Sequence, residues 1–325
     1  MGTVTTRSYH GGEERVAVSD LGLVSDLLDG ESDVVWVDLD DPTKDELSEL
    51  ATELGLHHLA VEDALDPHQR DKYVHYERHV FLVAHAVELD VADAGLRTIE
   101  LDVFIGDRWL VTVRRGGARW MERIVERWEK ARRFAGCRVG VAVYAILDVV
   151  VDGYFTTIDA FEEFYDRVAE QVFGEEPIEP GDHRHWFQMR RSLNQFDRVV
   201  RPLTDALRTV VDHDIERFAA ESAPYLRDVQ GELIRASAEV DSLRELVEHL
   251  VDASLVLRDF RQNVVMKKVT SWAAIIALPT LVTGYYGMNV PYPGSGEPWG
   301  VVASTGIAVG CSGALYVLFR RKGWL

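Results

Sequence analysis

Residues 269–286 have the sequence VTSWAAIIALPTLVTGYY, and residues 299–319 have the sequence WGVVASTGIAVGCSGALYVLF. Neither segment contains a charged residue, and each is close to the roughly 20 apolar residues that cross a bilayer core as a helix. Trp and Tyr occur near their ends, which is typical of side chains at a membrane interface. We therefore predict two membrane-spanning helices at the C-terminal end of the chain, rather than a pair of buried core helices.

The distribution of basic residues predicts the orientation of these helices. Residues 287–298, between the two segments, contain no Lys or Arg. Basic residues flank the pair on its other side: Arg258, Arg261, Lys267, Lys268, Arg320, Arg321 and Lys322. Because cytoplasmic flanks carry the excess of Lys and Arg, both termini are expected in the cytoplasm and the loop outside. The N-terminal residues lack the apolar core of a signal peptide. We expect a multi-pass protein of the cell inner (plasma) membrane.

The net charge of the chain is concentrated in its N-terminal part. The sequence has 54 Asp and Glu against 35 Lys and Arg, a net charge of −19. Residues 269–325 carry a net charge of +2, so the first 268 residues carry −21. This excess of acid disfavours binding to nucleic acid, because phosphates require basic partners. The two cysteines, Cys137 and Cys311, are too few and too far apart to form a metal cluster alone.

No motif in the sequence indicates an enzyme. There is no phosphate-binding loop and no nucleophile elbow, so we expect no catalytic activity. Two pairs of histidines, His57 with His58 and His183 with His185, could hold a metal ion, but neither has a matching Cys/His pair. Capping or surface roles are favoured for them.

The N-terminal part has the pattern of an α+β domain, with strands first and helices last. Residues 33–40 predict a strand, and Thr43 with Glu46 forms a capping box that opens a helix ending near Gly55. Further segments rich in β-forming residues predict a largely antiparallel sheet: 73–77, 79–89, 97–105 and 109–113. The last segments predict helices: 118–134, 140–173 and 182–212.

One very long helix is predicted from Pro224 to Tyr286, a stretch whose only further proline is Pro279. At 1.5 Å per residue it would be about 95 Å long. Apolar residues follow each other along it in steps of three and four: Leu226, Val229, Leu233, Ala236, Val240, Leu243, Val247 and Leu250. This heptad seam indicates packing against other helices. A helix this long cannot be covered by its own domain alone, so we expect neighbouring subunits to supply part of its cover.

A second row of residues follows one 3.5-residue register along the same helix. Its members are Asp241, Glu245, Glu248, Asp252, Asp259, Asn263, Met266, Thr270, Ala273, Ala277, Thr280 and Gly284. The row is either a solvated face aligned with small packing residues or an acidic vestibule that leads into an uncharged pore. An uncharged pore suits Mg²⁺, which keeps its water ligands.

The motif that closes the first apolar segment, Tyr286-Gly287-Met288-Asn289, resembles the signature of the CorA magnesium transporters. The C-terminal sequence FRRKGWL of residues 319–325 is similar to the family's basic end. The resemblance extends to HLAVED at 58–63, DPHQR at 66–70, YLRD at 225–228 and NVVMK at 263–267. It covers nearly the whole chain from about residue 30.

This resemblance implies a homopentamer with an N-terminal αβα cytoplasmic domain, a funnel of stalk helices and two C-terminal transmembrane helices. The corresponding segments are the α+β domain with helices (1–220), the stalk helix (221–268), the pore-lining first transmembrane helix (269–288), the extracellular loop (289–298), the second transmembrane helix (299–319) and the basic tail (320–325). The partners implied are further copies of the chain, the lipid bilayer and divalent cations.

The resemblance also implies roles for particular residues. Asn289, after Gly287 and Met288, would form the outer ring that captures hydrated Mg²⁺. The pore would then be lined by Thr280, Ala277, Ala273, Val269, Met266 and Asn263. Because family members often have a bulkier residue at the level of Ala277, the gate is expected near Met266 or Val269.

Three acidic residues match cytoplasmic positions of the family. Asp228, and Asp90 or its neighbour Asp93, would bind Mg²⁺ between subunits and keep the pore closed, and Asp252 would face the funnel. The implied function is uptake of Mg²⁺ driven by the membrane potential. The alternatives are a zinc transporter of the ZntB type, a carrier of Co²⁺ or Ni²⁺, or a membrane-anchored protein that conducts nothing.

Overall fold

The structure is a computed structural model that describes residues 3–10, 13–18, 21–29, 33–67, 69–174, 180–218, 220–288 and 293–325. The chain divides into two compact units, Met1–Glu248 and His249–Leu325. Asn289 and His68, both part of the sequence resemblance, lie outside the described residues.

The first unit is built around one mixed sheet. The strands found in the described ranges are β1 (Thr3–His10), β2 (Glu13–Val18), β3 (Val34–Asp40), β4 (Lys72–His75), β5 (Val80–Asp90), β6 (Gly95–Ile105) and β7 (Trp109–Arg114). Their order across the sheet is β2-β1-β3-β7-β6-β5-β4. The pair β3–β7 is parallel, and the other pairs are antiparallel. The prediction of a largely antiparallel sheet is thus confirmed.

Helices account for most of the remaining chain. They are α1 (Val24–Asp29), α2 (Lys44–Leu54), α3 (His58–Leu65), α4 (Ala118–Ala135), α5 (Val139–Phe173), α6 (Pro180–Thr209), α7 (Ala223–Tyr286) and α8 (Pro298–Arg321). A π-helical turn at Val210–Asp214 follows α6, so the helix predicted over 182–212 changes its geometry near its end. The continuous helix predicted from residue 224 to 286 is confirmed as α7.

The start of α2 has the predicted capping box. The Thr43 backbone N–H donates to Glu46 Oε2 over 2.7 Å, and the Glu46 N–H donates to Thr43 Oγ1 over 3.3 Å. Gly55 ends the helix with φ 65°, a left-handed conformation that glycine adopts without steric cost. This local geometry places α2 beside the sheet, where Leu47 and Leu50 are buried in the same apolar core as Val35, Val37 and Val113.

Among the residues that the structure describes, three helices are long and apolar enough to cross a membrane, namely α5, α7 and α8. The apolar part of α5 is largely buried inside the first unit, where it packs against β5 and α4. The apolar windows of α7 and α8 are almost entirely exposed in the single chain. Burial therefore distinguishes a core helix from the two candidate spans, a difference that hydropathy alone does not reveal.

Candidate functional site

The first part of α7 is held against α5 and α6 of the same chain. All eight seam residues are buried: Leu226, Val229, Leu233, Ala236, Val240, Leu243, Val247 and Leu250. Within the first unit, Tyr225 packs on Tyr144 of α5 with ring centroids 5.1 Å apart, and the Arg235 guanidinium lies 4.3 Å from the Phe155 ring. Because the seam is buried in the single chain, the predicted packing against other helices is confirmed for residues 226–247. That neighbouring subunits cover another part of α7 stays a prediction.

The acidic row on α7 is partly neutralised in the first unit. Arg201 of α6 donates to Asp241, and Arg244 Nη1 lies 3.8 Å from the same carboxylate. Arg190 Nη2 lies 3.9 Å from Glu248. These arginines lower the local negative charge, so the row is less acidic than its sequence suggests.

Asp228 lies on the exposed side of α7 in an acidic neighbourhood. Burial, and then the nearby charges of Asp228 and Asp152, raise the pKa of Glu232. Arg127 of α4 compensates part of this charge by pairing with Asp152 over 2.8 Å and with Asp148. Among the residues that the structure describes, no group of three or more His, Cys, Asp or Glu side chains is arranged to hold a metal ion. The described residues of one chain therefore do not form a complete metal site around Asp228.

Asp90 is positioned by the turn between β5 and β6. One of its carboxylate oxygens, Oδ1, accepts the backbone N–H groups of Ala92 and Asp93 over 2.9 and 3.2 Å. Ala94, the residue immediately before β6, has a positive φ of 51°. Asp90 and Asp93 are exposed, as is Asp252 in the second unit.

In the second unit, the row predicted to line the pore is exposed along α7. Val269 and Met266 are each 60% exposed. Asn263, Ala273, Ala277 and Thr280 are exposed as well. Ser271, on another side of the helix, is buried and donates to the Lys267 carbonyl over 2.7 Å. The described residues of the second unit thus leave this row largely uncovered.

The polar side chains of this row are fixed by the helix itself. Thr280 Oγ1 donates to the Ile276 carbonyl over 3.1 Å, and Asn263 Nδ2 donates to the Asp259 carbonyl over 3.0 Å. The oxygen atoms of both side chains remain able to accept hydrogen bonds, for example from water bound to a cation. Such groups can hold a hydrated ion without replacing its water ligands.

The GMN motif begins at the last turn of α7. The Gly287 N–H donates to the Thr283 carbonyl over 2.9 Å, and the Met288 N–H donates to the Tyr285 carbonyl over 3.3 Å. These bonds carry the chain out of the helix immediately before Asn289. Glu297 is the N-cap residue of α8, and Pro298 occupies its first turn.

The histidine pairs do not form metal sites in the described part of the chain. His57 is the N-cap of α3, and its Nδ1 accepts the Leu59 N–H over 3.3 Å. His183 packs against Trp186, and His185 packs against Phe164. The capping role favoured from the sequence is confirmed for His57.

Comparison with known proteins gives matches along most of the chain. The family described as CorA-like Mg²⁺ transporter protein matches residues 31–321. The cobalt/magnesium transport protein CorA of Thermotoga maritima is 26% identical over 280 residues, covering 83% of this chain and 77% of that protein. The CorA protein of Methanocaldococcus jannaschii, also described as a cobalt/magnesium transport protein, is 24% identical over 307 residues, covering 90% of this chain and 92% of its own length.

The fold is also similar to a solved structure. The complete structure of the CorA magnesium transporter from Methanocaldococcus jannaschii superposes with a TM-score of 0.81 and 19% identity, and 99% of each chain is covered. This likeness shows the fold, whereas the sequence match over residues 31–321 shows the family. The resemblance seen in the GMN motif is thus confirmed, and the chain belongs to the CorA-like family of Mg²⁺ transporters, which are metal ion transporters of the membrane.

Proposed function

We propose that the protein is a channel-like Mg²⁺ transporter, a homopentamer with two spans per subunit and both termini in the cytoplasm. The membrane potential drives uptake, and the protein needs neither a nucleotide nor a catalytic step. Moving a divalent ion through 100 mV releases about 4.6 kcal/mol, from roughly 2.3 kcal/mol per charge. The family match over residues 31–321 and the two exposed apolar helices support this proposal.

The exposed row on α7 is the observation that carries the proposal. Five copies of that row around an axis would line a narrow passage of methyl, hydroxyl and amide groups, with Asn263 at the cytoplasmic end and Thr280 toward the outer end. Such a lining suits an ion that keeps its water shell, because Mg²⁺ dehydrates reluctantly. A path for dehydrated Zn²⁺ would instead use Cys, His or carboxylate ligands. Asn289 would capture the hydrated ion at the outer mouth, after Gly287 and Met288.

Regulation is assigned to acidic residues of the cytoplasmic part. Asp228 of one subunit, with Asp90 or Asp93 of a neighbour, would bind Mg²⁺ when its cytoplasmic concentration is high. One oxygen of Asp90 accepts turn hydrogen bonds, which fixes the carboxylate while leaving Oδ2 for a ligand. The crowding of Glu232 and Asp152 near Asp228 would be relieved by a bound cation. Occupancy would keep the pore closed near Met266 or Val269, and Asp252 would attract cations toward it.

A flux assay in liposomes tests the ion selectivity. The full chain is reconstituted, an inside-negative potential is imposed, and uptake of Mg²⁺, Co²⁺, Ni²⁺ and Zn²⁺ is measured side by side. We expect Mg²⁺ uptake in the absence of nucleotide. Uptake of Zn²⁺ alone would indicate a ZntB-type zinc transporter, and no uptake of any of the four ions would indicate a membrane-anchored protein that conducts nothing.

Replacing the proposed regulatory ligand tests the closing mechanism separately. The variant Asp228→Ala should continue to take up Mg²⁺ at internal concentrations that stop the wild type, because the site between subunits loses a carboxylate. The matched control is Glu221→Ala, which removes an exposed acid shortly before α7. Inhibition that is unchanged in Asp228→Ala would overturn the assignment of this residue.

A further inference from the structure

Four ionisable side chains form a buried cluster in the first unit, away from the residues assigned to transport. The cluster consists of Asp71, immediately before β4, His85 on β5, and Glu100 and Asp102 on β6. His85 is paired directly with Glu100 across the two strands, and Asp102 is paired with Val83. Because alternate residues of a strand share a face, His85, Glu100 and Asp102 lie on the same face of the sheet.

His85 lies between two carboxylates. Its Nδ1 contacts Asp71, and its Nε2 lies 3.5 Å from Glu100 Oε2. A neutral imidazole has one N–H donor, so only the imidazolium can donate to both carboxylates at once. Burial opposes the positive charge, but hydrogen bonds to Asp71 and Glu100 outweigh it and raise the pKa of His85 to about 9. The geometry thus favours a protonated His85 between the two carboxyl groups.

Among the described residues, Asp102 has no comparable partner. Its side chain is 1% exposed, and its Oδ1 atom is buried without a hydrogen bond from any described residue. A buried carboxylate without a partner is strongly disfavoured in its charged form, and it takes up a proton instead. Burial, followed by the negative charge of Glu100, raises the pKa of Asp102 to about 8.

Two further cations that act on Asp102, Lys72 and Arg115, are engaged elsewhere. Lys72 of β4 donates to Asp63 of α3 over 2.8 Å and to Gln69 over 3.1 Å. Arg115, which follows β7, donates to the carbonyl groups of Ala64 and Leu65 at the end of α3. Both cations favour the charged form of Asp102 only from a distance, and neither forms an ion pair with it among the described contacts.

Helix α5 packs against β5 on the other face of the sheet. The Tyr154 hydroxyl donates to the His85 carbonyl over 2.8 Å, and burial raises the pKa of this tyrosine well above its ordinary value. The second oxygen of Asp71, Oδ2, is also buried without a hydrogen-bond partner in the described part of the chain, and burial raises the pKa of this carboxyl group. Asp71 and Glu100 thus place two carboxyl groups beside the single imidazole of His85. A charged Asp102 would add a further negative charge to this buried cluster.

We propose that Asp71, His85, Glu100 and Asp102 form a proton-binding site of the cytoplasmic domain, which keeps Asp102 protonated at neutral pH and releases this proton when the cytoplasm becomes alkaline. The ligand of the site is a proton rather than a metal ion, because the described His and carboxylate groups are not arranged for metal coordination. Loss of the proton leaves a buried negative charge on Asp102, beside β4 and β5. This inference rests on the proposed orientation, which places the first unit in the cytoplasm, but not on ion transport.

Infrared spectroscopy of the full chain in detergent tests the proposal. Exposed carboxyl groups are ionised at pH 7, so the carbonyl band of a protonated carboxyl reports groups such as Asp102. With a pKa of about 8, Asp102 should be about 90% protonated at pH 7 and about 10% at pH 9. We expect the band to weaken over this range in the wild type and to be reduced at pH 7 in Asp102→Asn. The control Asp107→Asn, an exposed acid in the turn before β7, should retain it.

Thermal unfolding supplies a second measurement. The melting temperature of the wild type should fall between pH 7 and pH 9, and that of Asp102→Asn should fall less, since the amide remains neutral. Equal falls in the two proteins would overturn the proposal, as would a carbonyl band that is unchanged by Asp102→Asn. If the variant does not fold, the wild-type titration still decides, because absence of the band at pH 7 contradicts a protonated Asp102.

Discussion

Replacing Arg114 by Met would leave Asp38 as a buried carboxylate without a cation, at the point where the parallel strands β3 and β7 end. Arg114 Nη2 donates to Asp38 Oδ2 over 2.9 Å, and Nε donates to Oδ1 over 3.2 Å. Asp38 also accepts the Thr112 hydroxyl over 2.8 Å. Arg114 Nη1 lies 2.8 Å from Asp40, so the substitution removes the partner of two carboxylates.

The expected loss of stability follows from burial. The side chains of Arg114 and Asp38 are 7% and 4% exposed. Removing one partner of a buried ion pair costs about 3–5 kcal/mol, a large share of the roughly 5–15 kcal/mol that stabilises a typical domain. At about 2–4 °C per kcal/mol for a unit of this size, the melting temperature should fall by about 6–20 °C.

Tryptophan fluorescence of the full chain in detergent measures this change. Trp36 reports on the site, because its indole N–H donates to Thr112 over 3.1 Å. The matched control is Arg97→Met, since the Arg97 side chain is 78% exposed and lies 3.8 Å from Glu88. An exposed pair of this kind contributes about 0–1 kcal/mol. A fall for Arg114→Met no larger than that for Arg97→Met would refute the reasoning.

Two further predictions concern the same unit. A Cβ atom at Gly153 would lie 2.3 Å from the Trp120 ring. Gly153→Ala should therefore lower the free energy of unfolding, measured by thermal unfolding, by about 1–3 kcal/mol. The control Gly231→Ala, where a Cβ atom meets nothing within 4 Å, should not destabilise the protein. Burial lowers the pKa of His79, and its Nε2 accepts the His57 backbone N–H over 2.8 Å. As the pH falls below about 6.5, the unfolded chain therefore binds more protons at this histidine than the folded chain does. The fall in melting temperature from pH 7 to pH 5 should therefore be larger in the wild type than in His79→Gln, and equal falls would contradict this.

Local sequence signals predicted much of the fold. The capping box of Thr43 and Glu46 fixes the start of α2 through two short-range hydrogen bonds, and both partners are visible in the sequence. The single helix α7 follows from a long stretch with only one internal proline, Pro279. Strands β5, β6 and β7 were predicted to within about two residues, because turn residues separate them along the chain.

Features that depend on distant parts of the chain were not predicted. Strand β1, with the sequence TVTTRSYH, is polar and is stabilised by antiparallel pairing with β3. The parallel pairing of β3 with β7 joins residues more than 70 positions apart, such as Val35 and Trp109. The short helix α3 depends on the cap by His57 and on burial of Ala60 and Ala64, rather than on its own periodicity.

The site was predicted unevenly for the same reason. The GMN motif and the small residues of α7 are local features, and they led to the family that the comparison confirms. The pairing of Asp241 with Arg201 across two helices has no sequence signature. The buried cluster around His85 and Asp102 was also missed, although ionisable residues at inward positions of two predicted neighbouring strands are a signal that could have indicated it.

Potential-driven Mg²⁺ uptake into liposomes containing the full chain tests the central claim most directly. The account predicts uptake that rises with the imposed inside-negative potential, with a driving force of about 4.6 kcal/mol per 100 mV for a divalent ion. It also predicts that Asn289→Ala abolishes this uptake while the protein remains folded and inserted. Uptake no greater than in protein-free liposomes at every potential, or full uptake by Asn289→Ala, would contradict the account.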